Sequence, residues 1–85
     1  MLVIKKYKRG TIVVEAAVRP LLFSTVNEDF ESWRLNKWHF HNGDIIIETS
    51  HGEKMCEAGD WIVKHPNGQF DVMPNAVFTS LYKPL

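Results

Sequence analysis

The sequence predicts an α+β fold: one central helix with a strongly twisted antiparallel meander, for which a small SH3-like barrel is one closed form. Three observations carry that expectation. Short β-rich segments follow one another, separated by Gly, Asn, Asp and Pro turn residues. A stretch after Thr25 changes to helical period. The segment Gly59 to Tyr82 reads as strand, tight turn, strand, proline break and short terminal element. At 85 residues the chain has room for one modest domain, residues 1–85, with about 60 to 65% of its unfolded surface buried on folding.

The first organised segment runs from Leu2 to Arg19, with Arg9-Gly10 as its turn. Thr11 to Val18 (TIVVEAAV) is rich in β-branched residues and reads as a strand, which Pro20 ends by restricting Arg19. Glu15 reads as an outward-facing strand carboxylate, with pairing to a partner as its functional alternative.

Thr25 with Glu28 has the spacing of a capping box, and Val26, Phe30, Trp33 and Lys37 fall on one helical face. A helix from Val26 to Leu35 is expected, its acidic first turn (Glu28, Asp29) matched to the positive helix end. Phe30 and Trp33 read as core anchors.

Strand character returns after Asn36. Trp38 and Phe40 alternate with His39 and His41, and Asn42-Gly43 is a strong hairpin turn before Asp44 to Thr49. Ser50-His51-Gly52 leads to a short strand over Glu53 to Cys56. Ala58-Gly59-Asp60 turns the chain into Trp61 to Lys64, and Pro66-Asn67-Gly68 turns it into Gln69 to Met73. One helical turn is expected within Pro74 to Tyr82, with Val77, Phe78 and Leu81 in the core.

Hydrophobic residues are 45% of the chain, which favours a packed core over disorder. Ten basic and ten acidic residues cancel, which weighs against a protein held mainly by phosphates. One cysteine makes no internal disulfide, and neither a signal peptide nor a membrane helix is read; a cytoplasmic location is the expectation.

No catalytic constellation stands out. The glycines lack the spacing and lysine of a phosphate-binding loop. His39 and His41 share one strand face, and His51, Cys56 or His65 approach them only through the fold; no close ligand pair is present, so neither a metal nor another cofactor is expected. Asp60 reads as a turn carboxylate and Cys56 as a small buried hydrophobe. Two surfaces remain as candidates for partner binding. Trp38 and Phe40, with His39 and His41, form an aromatic strand whose large rings suit a protein interface. Lys5, Lys6, Lys8 and Arg9 form a basic strand around Tyr7, suited either to phosphate contacts or to guarding an open sheet edge.

The run Gly59-Asp60-Trp61-Ile62-Val63-Lys64, followed by Asn67-Gly68, Phe70, Pro74, Phe78 and Tyr82, resembles a group of small uncharacterised bacteriophage proteins. Val14-Glu15-Ala16 and Phe30 match that group more loosely. The group often carries a proline-cysteine pair where this chain has Val72-Met73 before Pro74, and Trp38 to His41 lies outside the resemblance. The group has no shared activity, so the resemblance implies a phage setting and a similar fold without an active site.

The function expected in that setting is a non-enzymatic protein that binds and modulates a host protein or complex in the bacterial cytoplasm. A nucleic-acid-binding or transcription accessory protein, and a minor phage structural or assembly component, are the alternatives. A homodimer hiding a strand edge would enlarge the small core.

Overall fold

Two-residue turns set the local architecture. The computed structural model describes residues 2–21 and 26–85. Strand β1 (Lys5–Arg9) pairs antiparallel with β2 (Ile12–Val18) across the turn at Gly10 and Thr11, the expected early hairpin. Strand β3 (Trp38–His41) pairs with β4 (Asp44–Thr49), and their turn places Asn42 at φ 51° and Gly43 at φ 82°. That left-handed pair is the hairpin geometry that an Asn-Gly dipeptide favours. Strand β5 (Gly52–Cys56) continues from β4, and β6 (Trp61–Lys64) pairs with β7 (Phe70–Met73).

Helix α1 (Val26–Trp33) ends two residues before the expected Leu35. Its end is a Schellman motif: the Leu35 N–H donates to the Phe30 carbonyl at 2.9 Å and the Arg34 N–H to the Glu31 carbonyl at 3.1 Å. Arg34 takes the left-handed position usually given to glycine, at φ 64°. The accompanying apolar contact is supplied by Phe30 and Leu35, both buried in one cluster. The capping box expected at Thr25 lies outside the described residues.

The chain departs from a single meander. The described strands form a three-stranded sheet in the order β3-β4-β5 and a five-stranded sheet in the order β7-β6-β2-β1-β8, where β8 is Lys83–Pro84. Both are open, so the described strands show an α+β arrangement with no closed barrel. The β6-β7 hairpin leaves the meander because β6 pairs with β2, Glu15 opposite Lys64 and Val18 opposite Trp61. The run from Gly59 to Tyr82 also holds a second helix, α2 (Asn75–Leu81), longer than the single turn expected there.

These elements stack in three layers. One face of the five-stranded sheet presents Val14, Ala16 and Val63 to Phe78 and Tyr82 at α2 and its end, with Tyr7, Trp61, Met73 and Leu81 at the margin. Val77, expected in this core, is exposed because it lies on the outer side of α2. The other face presents Ala17, Ile62, Phe70 and Val72 to Ile45, Ile47 and Cys56 of the smaller sheet and to Phe30 and Trp33 of α1. Lys54 on β5 donates to Asp71 on β7 at 2.8 Å and so ties the two sheets together.

Trp33 fastens α1 to the larger sheet by both ends of its polar reach. Its indole N–H donates to Glu15 Oε1 at 3.1 Å, and its carbonyl accepts from Lys64 Nζ at 3.0 Å. The expected outward-facing Glu15 is thus half-buried and tied to the helix. Arg19 performs a similar task at the end of β2. Its side chain donates to the Cys56 carbonyl at 3.0 Å, and its backbone bonds Gly59 and Asp60 at 2.9 and 2.8 Å.

Candidate functional site

The aromatic strand β3 lies at one edge of the three-stranded sheet, hydrogen-bonded in that sheet to β4 alone. The Glu48 N–H donates to the Lys37 carbonyl at 2.9 Å, which fixes the phase of this ladder. Backbone groups alternate along an antiparallel pair, so His39 and His41 turn theirs toward β4 while Trp38 and Phe40 turn theirs outward. The same alternation puts the Trp38 and Phe40 side chains on the core side of the sheet and both imidazoles on the other.

Trp38 and Phe40 have different surroundings. Trp38 is half-buried against the core cluster, its ring edge-on to Phe30 at 5.1 Å. Phe40 packs edge-on to Trp38 at 5.1 Å yet is 54% exposed. On the outer face His39 Nδ1 lies 3.5 Å from Glu53 Oε2, an ion pair when the imidazole is protonated, and His41 Nε2 lies 3.4 Å from the Asn42 amide. The four residues read together from sequence therefore divide into a core anchor, an exposed ring and two surface imidazoles.

The basic strand divides as well. Lys5 and Arg9 share the α2-facing side of the sheet with Tyr7, whereas Lys6 and Lys8 point to the opposite side. Strand β1 is not an open edge: β8 pairs outside it, Tyr7 opposite Pro84 and Lys8 opposite Lys83. That pairing adds Lys83 to the Lys6 and Lys8 side. Sequence reading missed Lys83 because a two-residue strand carries no periodic signal.

Two shallow clefts accompany these surfaces. One of about 300 Å³ lies where the end of α1 meets the β4-β5 and β6-β7 turns, lined by Arg34, Lys37, Glu48, Thr49, Ser50 and Gln69. Its chemistry is largely internal: Lys37 pairs with Glu48 at 3.7 Å, and Thr49 Oγ1 donates to the Gly52 carbonyl at 2.7 Å. A second cleft of about 290 Å³ runs between Lys6, Val13, Glu15, Lys64 and His65.

The nucleophile inventory is equally plain. Burial first, then the Asp60 carboxylate, pushes the Cys56 thiol up to about 12, so it is protonated and unreactive at neutral pH. Asp60 accepts the Glu57 N–H at 3.0 Å, the turn role expected of it. Among the described residues no group of three His, Cys, Asp or Glu side chains is arranged to hold a metal, and no helix is long and apolar enough to cross a membrane. Comparison with protein-family models, curated proteins and solved structures finds no match to this chain.

Proposed function

We propose that this chain is a non-enzymatic binding protein that modulates a host protein in a phage setting, and that β3 is the strand it offers. The observation that carries the reading is Phe40, a large ring 54% exposed beside outward-turned backbone groups. An extended segment of a partner gains main-chain hydrogen bonds from such an edge, while the ring supplies apolar contact and specificity. Trp38 acts beneath it as a rigid support, since it is held by Phe30.

The test is a tagged pull-down from infected host cells, run with the unaltered protein, Phe40→Ala and Phe40→Pro, and read by mass spectrometry. Phe40→Ala removes the ring alone. Phe40→Pro also removes an N–H that points away from β4, so the β3-β4 ladder persists. A stoichiometric host protein that is weakened by the first and lost with the second supports the reading. Recovery of phage structural proteins alone moves the function to assembly, and a host protein held equally by all three forms removes β3 as the contact.

A further inference from the structure

We infer that the uncovered end of the five-stranded sheet, around Lys6, Lys8 and Lys83, binds a short acidic and apolar segment of a protein partner. This surface lies on a different sheet from Phe40, and the inference stands or falls independently of the β3 edge.

The clustering of charge comes first. Lys8 and Lys83 stand directly opposite each other, and Lys6 lies two residues along the same face. Strand geometry sets about 5 Å between paired Cβ atoms and about 7 Å between alternate residues. Like charges placed directly opposite destabilise a sheet. Among the described residues none of the three lysines belongs to an ion pair. Glu15 stands opposite Lys6, but its Oε1 accepts the Trp33 indole N–H. Nor do Lys6 and Lys8 guard an open edge, because β8 lies outside β1; Lys83 alone stands on the edge strand.

The apolar component identifies the occupant. Val13, 40% exposed, stands opposite Lys8 on the β2 side. Leu85, 69% exposed, donates its N–H to the Lys6 carbonyl at 3.3 Å on the β8 side. The cations thus sit between two apolar side chains, beside the cleft that leads from Lys6 and Val13 to Lys64 and His65. A peptide that alternates carboxylates with aliphatic residues satisfies both. A nucleic-acid strand is served less well: Tyr7 and Trp61 pack on the opposite face against Phe78, so neither of these rings is offered here to a base.

The experiment measures fluorescence anisotropy at low salt with a labelled peptide of alternating glutamate and leucine. The same peptide with glutamine for glutamate and a labelled oligothymidylate serve as comparison probes. Lys8→Gln with Lys83→Gln is expected to weaken the acidic peptide roughly five- to tenfold, while Lys5→Gln with Arg9→Gln on the other face changes it less than about twofold. The first double variant should melt no lower than the unaltered protein, because it relieves a repulsion. The inference is overturned if the acidic peptide does not bind, if the glutamine peptide binds as well, or if both double variants lose equally. Tighter binding of oligothymidylate with the same dependence on Lys8 and Lys83 also overturns it, in favour of a phosphate-chain partner.

Discussion

Arg34 holds a left-handed backbone at the end of α1, a conformation that costs an L-residue with a β-carbon about 1 kcal/mol and glycine little. Arg34→Gly is therefore expected to raise stability in urea by about 0.5 kcal/mol, the gain being reduced by the freer unfolded chain. A loss of stability would mean that the arginine side chain contributes more than its backbone costs. Cys56 gives a pH prediction. Its folded thiol is raised to about 12, whereas an unfolded thiol ionises near about 8.5. The folded state thus binds that proton more tightly. The contribution is complete below about pH 8.5 and is lost as pH rises toward about 12. The stability difference between the unaltered protein and Cys56→Ala should shrink between about pH 8 and pH 11, and a constant difference would exclude a buried protonated thiol. The burial of Cys56 was legible, because a lone cysteine among strand residues behaves as a small hydrophobe. The strained Arg34 was not, because nothing in residue type marks an arginine for φ 64°.

Among the elements, β3 invites a direct comparison of its two aromatic residues. Trp38→Ala opens space beside Phe30 and is expected to cost about 2 kcal/mol, whereas Phe40→Ala should cost less than about 1 kcal/mol. Thermal or urea unfolding distinguishes them, and equal losses would place Phe40 in the core beside Trp38. Trp38 is half-buried against the core, so Trp38→Ala tests folding as well as binding. Alternation revealed that Trp38 and Phe40 share a side, but it carried no information on how far α1 covers each. The Lys54 bond to Asp71 is a second test. Lys54→Met leaves Asp71 with the Val72 N–H at 2.8 Å and should cost about 1 kcal/mol by loosening β5 from β7. Unchanged stability would show that apolar packing alone joins the sheets.

On the scale of the whole molecule, the turns were legible and the pairing between distant strands was not. Asn42-Gly43 and Arg9-Gly10 announce reversals through their own residues. That β6 pairs with β2 depends on burying Ile62 and Val63 on opposite faces of one sheet, a demand set by α2 on one side and the smaller sheet on the other. The sequence reading therefore joined β6 and β7 to one meander and left β1 at an edge. It also treated the basic strand as one surface, whereas the finished sheet distributes its charges over two. The same layered arrangement gives the molecule a built-in optical reporter. Phe78 stacks on Trp61 at 4.0 Å with an interplanar angle of 8°, and on Tyr82 at 5.1 Å with an angle of 17°. Rings held in a fixed chiral array contribute to the near-ultraviolet circular dichroism. A ligand seated on the Lys6 and Lys8 side approaches the opposite face of the sheet and leaves that array in place, whereas detachment of α2 dismantles it. The two events can thus be told apart in an unlabelled sample.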